Sequence, residues 1–467
     1  MKYISTLLLI SVSFLSFAQT DSIVEVMRFN EYLGYVKKFH PIVKQAELVI
    51  DQSQAKLLKS RGAFDPKFEV DYSRKKFKGT EYFDKLNGVF KIPTWYGIEL
   101  KAAFEENTGG FLNPQDVVPD DGLYSAGVKI PIAQGLLINN RMASLKQSKL
   151  FKEQAKSDRD VIVNNILFEA SLAYFKWLQA YKELLLFRNF LTNAELRFRG
   201  VERGAEVGER AQIDVVEARI AINQRKLSLE QSKIKLMKTA LELSTFLWLD
   251  NNVPVELQPN VIPDVDSEAV IDAAFNTNQL RSNELVLESH PKMIALDYKL
   301  QSLEVDRKLK ANKLLPKVDV EYNFLTEAPD VARSFNTAEY KGGLNISFPL
   351  FLRKERGDLR LSKLKMQDAE FEINATRVKL QNKINALRQE LNSYKIQNKL
   401  VEQMVTDYSR MLEAEERKFV LGESSLFLVN SRESKLIDSQ LKAIEVQYKF
   451  FSTKAKLFNS LSVNPEL

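Results

Sequence analysis

The sequence predicts a mainly α protein with some β, an internal duplication of long antiparallel coiled-coil hairpins, each preceded by strands of membrane-barrel type. Three observations carry this. Between residues 139 and 248, small and apolar side chains recur in steps of four and three, from Ile166, Ala170, Ala173 and Trp177 to Leu191, Ala194 and Phe198. That is the 3.5-residue period of a helix that supercoils against neighbours. The same object occurs twice, because VGERAQIDVVEAR (207–219) falls without gaps on LGESSLFLVNSRE (421–433), an offset of 214. His40-Pro41 matches His290-Pro291 at an offset of 250, which also lays DPKFEVDY (65–72) on LPKVDVEY (315–322). Ahead of each long hairpin, finally, the apolar period changes from 3.5 to 2.

In chain order, residues 1–18 come first. Lys2 precedes an apolar run beginning at Ile4–Ile10, and Ser16-Phe17-Ala18 places small residues before Gln19. This reads as a secretory signal that is removed on export. The rest of the chain has no apolar run long enough for a transmembrane helix, which leaves a soluble, a secreted or a β-barrel fate. Residues 19–250 form the first repeat, 251–266 a Pro/Asn-bearing link, and 267–467 the second repeat. Helices are expected over 22–39, ended by His40-Pro41 because the residue before proline disfavours the α region, and over 41–63. Their counterparts are 267–289 and 291–313.

Strands are expected within 66–132 and 316–350. Phe68, Val70 and Tyr72 alternate with Lys67, Glu69 and Asp71; Val318, Val320, Tyr322 and Phe324 alternate with Lys317, Asp319, Glu321 and Asn323. The return strands present Tyr124, Ala126, Val128 and Ile130, and Tyr340, Gly342, Leu344 and Ile346. A soluble sandwich could alternate in this way. In an exported chain, aromatic-out and charge-in strands fit a membrane barrel with a wet lumen. The second half has room for one hairpin with a loop at 327–338. The first half is about twice as long here, and alternation in 82–92 and 96–104 predicts an additional hairpin turning near Pro93-Thr94. Periodicity leaves open whether it joins the barrel or lies beside it.

Long helical hairpins follow at 139–248 and 355–461. A helix unbroken from Asn140 to Glu206 would be ~100 Å long, so it must project from any compact body. After each glycine-bearing tip the apolar stepping resumes, first at Ile213, Val216, Ile220 and Leu227.

Composition narrows the chemistry. The 467 residues include 67 basic and 61 acidic ones, no Cys and two His. Disulfides, thiolate metal sites and a lipidated N-terminal cysteine are excluded. No basic cluster with interleaved aromatics points to nucleic acid. No nucleophile elbow, metal cluster or buried acid pair suggests an enzyme, and no cofactor or metal is expected. His40 and His290 read as punctuation of a helix junction that was copied, rather than as a metal pair.

Too few strands to close a barrel in one chain require several copies, since an open edge is not tolerated in lipid. With its two-fold repeat, HP junctions, strand pairs and glycine-bearing tips, the mature chain resembles the TolC-like outer-membrane efflux protein family. The tips VGERAQIDVVEAR and LGESSLFLVNSRE look like that family's helix-hairpin motif. The resemblance implies a homotrimer in the outer membrane of a Gram-negative bacterium, a β-barrel continuous with a long periplasmic α-barrel. It also implies a passive export duct, opened by a periplasmic adaptor and energised by an inner-membrane transporter. A periplasmic coiled-coil adaptor is the alternative, although an adaptor would have one hairpin rather than two. Docking to the adaptor falls on Val207, Gly208 and Glu209 in the first tip, and on Leu421, Gly422, Glu423 and Ser424 in the second. Glu209 and Glu423 depart from the family motif after the glycine. Acids just past a tip narrow the family's periplasmic entrance, typically in the second repeat. Here Leu428 and Ser431 stand there, so Asp214 and Glu217, with Arg210 beside them, are the entrance candidates. The other reading of the two acids stays open: carboxylates in a first helical turn favour the helix dipole.

Overall fold

In the computed structural model, the described residues are 25–275, 287–328 and 336–462. The expected leader at 1–18, part of the loop at 327–338 and part of the helix expected at 267–289 lie outside them. The first repeat opens with a short strand, β1 (Glu25–Met27), and helix α1 (Phe29–Phe39). The sequence reading had carried the helix back to residue 22. Instead, β1 pairs in parallel with Val261–Pro263, with Glu25 opposite Val261. That long-range partner leaves no local periodicity to read.

His40 and His290 explain why the two junctions look alike. Each caps the helix that follows, α2 (Pro41–Arg61) in the first repeat and Pro291–Asn312 in the second, with proline at the first helical position. The Nδ1 of His40 accepts the amide N–H of Ile42 at 3.2 Å, and that of His290 accepts Lys292 N–H at 3.0 Å. Burial holds both imidazoles below their ordinary pKa, despite backbone hydrogen bonds that raise it. A protonated Nδ1 cannot accept the capping bond. A His whose folded pKa is depressed contributes its full stability above its unfolded pKa, about 6.5, and loses it as pH falls towards the folded value. The purified protein should therefore melt lower at pH 5.5 than at pH 7.5. Paired His40→Asn and His290→Asn substitutions, which keep a capping oxygen but do not titrate, should flatten that difference.

Four strands follow in the first half: β2 (Lys67–Phe77), β3 (Thr80–Pro93), β4 (Glu99–Thr108) and β5 (Leu123–Pro131). The long hairpin is α3 (Asn140–Glu206) and α4 (Gln212–Ser244), with the Asn139 side chain capping α3 through Met142 N–H at 2.9 Å. α4 stops at Ser244, short of Trp248 where the helical stepping was expected to end, and a minimal hairpin, β6 (Trp248–Leu249) with β7 (Val253–Pro254), leads into the link. The second repeat runs β8 (Val261–Pro263), α5 (Glu268–Ala274), α6 (Pro291–Asn312), β9 (Lys317–Thr326), β10 (Tyr340–Ser347), α7 (Arg353–Val420) and α8 (Leu426–Leu461). In place of the single helix expected over 267–289, α5 stops at Ala274, and Leu287–Ser289 form one 3-10 turn.

β2 to β5, β9 and β10 make one antiparallel sheet in the order β10-β9-β5-β4-β3-β2. Its two faces differ as the alternation predicted. Phe68, Phe90, Ala102, Ala126, Phe324 and Tyr340 lie on one face, and Lys67, Lys91, Lys101, Gly127, Asn323 and Lys341 on the other. The charged face is laced by ion pairs, among them Lys91–Glu69 at 2.5 Å, Lys101–Glu321 at 2.8 Å and Lys129–Asp319 at 3.3 Å.

The helices form a wall in rows of four. Next to the sheet the order is α2, α3, α6, α7; towards the tips it is α4, α3, α8, α7. The two repeats meet in a collar around Phe29, Tyr174, Phe175, Phe275, Phe451 and Phe458, all of them buried. Phe29 stacks on Phe175 at 5.1 Å, and Tyr174 Oη donates to the carbonyl of Met27 at 2.9 Å. The predicted seam of α3 is buried, from Ile166 to Leu184. The α4 stepping turns outward instead: Ile213, Val216, Ile220 and Leu227 are exposed, while Val215, Ala218 and Ile222 face the chain's own interior. At the opposite edge α7 exposes Leu361, Leu364, Phe371 and Val378.

Candidate functional site at the helical tips

Each long hairpin turns through the same backbone motif. At the first tip Gly208 has φ +82° and at the second Gly422 has φ +78°, the left-handed region that side chains with a Cβ resist. The amide of Gly208 donates to Ala205 O at 3.2 Å, and that of Glu209 reaches back to Gly204 O at 2.8 Å. Gly422 to Phe419 at 3.2 Å and Glu423 to Lys418 at 2.9 Å repeat the pattern. These two bonds make the Schellman cap that satisfies the last helical carbonyls. The duplication is thus legible down to single hydrogen bonds. The helices that leave the tips start differently. Ser425 caps α8 by accepting Leu428 N–H at 3.3 Å, whereas Ala211 offers α4 no side-chain cap.

Val207, Gly208, Glu209, Leu421, Gly422 and Glu423 are all exposed at the end of the wall. Ser424 is half-buried and donates to Glu415 Oε1 at 2.6 Å. That bond, with Arg432 3.6 Å from the other carboxylate oxygen, holds the Glu415 carboxyl below its ordinary pKa.

Arg210 does more than stand beside the acids. Its Nη2 donates to the carbonyl of Phe419 at 2.9 Å, and its guanidinium lies 4.1 Å from the centre of the Phe419 ring. One side chain from the first tip thereby clasps the last turn of α7 at the second. Asp214 and Glu217 lie on one face of α4, both half-buried, yet they differ in company. Glu217 Oε1 accepts from Asn430 Nδ2 of α8 at 3.0 Å. The Asp214 side chain makes no hydrogen bond to a described residue. Glu217 is therefore held at the line where the hairpins meet, and the two acids are not bonded to each other.

Sequence reasoning missed a brace further up the hairpins. Glu433 of α8 is fully buried, with its carboxylate between Arg197 of α3 at 3.0 Å and Arg225 of α4 at 3.2 Å. Arg197 also reaches Glu416 of α7 at 2.8 Å, so the cluster ties four helices. Burial lowers the Arg197 pKa, but the two carboxylates outweigh it and hold the guanidinium above its ordinary value. A signal existed: Glu433 falls in the apolar stepping Leu426, Val429, Glu433, Leu436, and Arg225 in Val215, Ala218, Ile222, Arg225. A charge at a seam position has a partner across the seam, or it unfolds the seam.

Comparisons with known proteins agree with this geometry. The sequence profile described as "Outer membrane efflux protein" matches residues 283–462. No curated protein matches the chain at the level of sequence. Among solved structures, the CmeC outer membrane channel of Campylobacter jejuni superposes with a TM-score of 0.66 at 14% identity, covering 93% of this chain and 85% of that one. The MtrE outer membrane channel of Neisseria gonorrhoeae, in its open state, gives 0.65 at 10% identity, covering 94% and 89%. The outer membrane protein VceC of Vibrio cholerae gives 0.64 at 13%, covering 93% and 96%. At these identities the likeness is one of fold, and it runs the length of the chain. The efflux-protein profile thus matches most of the second repeat, and the first repeat copies that repeat down to the tip hydrogen bonds.

Proposed function

We propose that the protein is the outer-membrane duct of an efflux or export system: a homotrimer whose sheets close into a barrel and whose helical walls close into a periplasmic cylinder. The observation that carries this is the pair of unfinished edges. β2 and β10 border the sheet, and all of β10 and nearly all of β2 is exposed. Below them, α4 and α7 border the wall with exposed aliphatic stripes. An open strand edge cannot face lipid, and stripes of this kind mark an interface. A ring of copies, each edge meeting the opposite edge of the next, satisfies both at once. Its lumen would be lined by the charged face of the sheet, and its outer surface by the aromatic face.

In this reading transport is passive. The exposed tips dock a periplasmic adaptor, and an inner-membrane transporter supplies the energy. The adaptor alternative is set aside, because the six-stranded sheet has the apolar and charged faces of a membrane wall. The purified protein in detergent should have the mass of three chains; a stable folded monomer with full β content would overturn the reading.

Asp214 and Glu217 are assigned to the periplasmic entrance, where three copies would contribute six carboxylates. Close like charges repel and attract cations, more strongly where the mouth excludes water. Asp214→Asn with Glu217→Gln should abolish block of single-channel current by multivalent cations. If the acids only favour the helix dipole, block will persist and stability will fall by about 0.3–1 kcal/mol per charge.

A further inference from the structure

Resting on the trimer reading, we propose that the additional hairpin of the first half belongs to the barrel wall, so that each copy supplies six strands and the trimer closes at eighteen. One hairpin per half would have closed at twelve. Three features of the sheet carry this.

The ladder is continuous from β2 to β10, with antiparallel pairing throughout, and the outer face is apolar on every strand from the helix side as far as Tyr72, Leu86 and Phe104, beyond which Arg74, Asp84 and Glu106 stand. Phe68, Phe90 and Leu100 continue the surface made by Val128, Tyr322 and Leu344. A hairpin lying beside the barrel would break one of these. The turn between β3 and β4 is also fastened to the helices beneath. Trp95 stacks on Phe64 with ring centres 5.7 Å apart, Asn139 Nδ2 donates to Trp95 O at 3.0 Å, and Arg141 pairs with Glu99 at 2.6 Å.

The stagger of the sheet then fixes how copies join. Following paired residues from Lys67 leads through Lys91, Lys101, Gly127 and Asn323 to Lys341. Lys67 is the helix-side end of β2, whereas Lys341 lies six residues from Ser347, the helix-side end of β10. The sheet thus climbs about one residue per strand, a tilt of about 35° at ~3.3 Å per residue and ~4.8 Å between strands, as membrane barrels have. With the helix-side ends of β2 and β10 level around the ring, the row leaving at Lys341 enters the next copy six residues up β2, at Ser73, and three-fold symmetry repeats that step at each seam. Inward- and outward-facing positions then match across the seam. On the outer face Leu344 meets Val70, Ile346 meets Phe68, and Gly342 takes the ring of Tyr72; on the inner face Asn345 meets Glu69 with no like charges opposed.

Circumference agrees independently. Eighteen strands at that tilt run about 105 Å around, and the helices next to the sheet, four per copy, run about 110 Å at ~9 Å spacing. Twelve strands would run only about 70 Å. The duct therefore passes from helical to strand wall without narrowing, and its outer mouth admits wider cargo than a symmetric duplication would.

The chain has no cysteine of its own, which makes the seam directly testable in intact outer membranes. Leu344→Cys is combined in one chain with Phe68→Cys, Val70→Cys or Tyr72→Cys in turn, oxidised, and run on a non-reducing gel. The expected result is covalent dimers and trimers, strongest with Val70→Cys. Crosslinking of Leu344→Cys to Ala102→Cys of β4 instead would place β2 and β3 outside the wall and overturn the proposal while keeping the trimer; crosslinking of Val128→Cys of β5 to Val70→Cys of β2 within one chain would place β3 and β4 outside and overturn it likewise. Trimeric mass with no crosslink to β2 would also overturn it. Monomeric mass with no crosslink at all would overturn the trimer reading itself. A deletion of residues 67–97, which begins and ends at the helix side, should leave a trimer whose barrel is about two-thirds as wide in projection images; an unchanged width would count against the proposal.

Discussion

Gly208→Val combined with Gly422→Val should abolish export while the barrel still inserts. Both glycines hold a positive φ inside a Schellman cap, and open space surrounds each. The cost is therefore conformational rather than steric. A left-handed backbone costs a residue with a Cβ about 1–2 kcal/mol, and a β-branched one more. A valine escapes by leaving that region, which breaks the bonds from Glu209 to Gly204 and from Glu423 to Lys418 and unwinds the last helical turn. Arg210 and Phe419 then lose their contact, and the proposed docking surface loses its shape. The sheet lies at the far end of helices of 67 and 68 residues, so its insertion should be untouched. The readouts are extrusion of a fluorescent substrate from cells and heat-modifiable trimer in the outer-membrane fraction. Normal extrusion in the double variant would show that the tips do not dock.

Glu433→Leu should be the most destabilising single substitution in the helical wall. It leaves Arg197 and Arg225 buried without the carboxylate between them. Removing one partner of a buried ion cluster costs about 3–5 kcal/mol. Arg197 retains Glu416 at the wall's surface, which softens the loss on that side only. Thermal unfolding should shift to clearly lower temperature, and protease should cut the hairpins near residues 197–225 first. Adding Arg225→Leu should restore part of the stability, because it removes an orphaned charge. A double variant less stable than the single one would contradict this account.

What was legible in the sequence follows from how local each signal is. α3 could be read because its small and apolar residues keep one period through Ile166, Ala170, Ala173 and Trp177, and one face is buried throughout. The strands could be read because burial on one face alone writes a period of two. The α4 stripe was visible as periodicity, but not its direction. Ile213, Val216 and Ile220 are larger than the equally spaced inner set of Val215, Ala218 and Ile222, and only tertiary packing shows that the larger set looks away from the chain. β1 was misread as helix because three residues have no measurable period and their partner lies at Val261–Pro263. At the tips, the glycines and the acids were visible as residue types. The Arg210–Phe419 clasp was not, because its two ends belong to different repeats.

That crossing between repeats also sets when the molecule can be completed. β1 waits for β8, β5 pairs with β9, and α3 packs against α8, so these three first-repeat elements lack a neighbour until the second repeat exists. The duplication copied a shape, yet neither copy is a folding unit. A chain emerging from its N-terminus would hold β5 without β9, and the first helical hairpin without α8, until the second repeat followed. Contacts of such long sequence separation form slowly and leave sticky edges exposed meanwhile. Synthesis therefore hands over to assembly only at the end of the polypeptide, and losing α8 should cost the whole structure rather than its last helix.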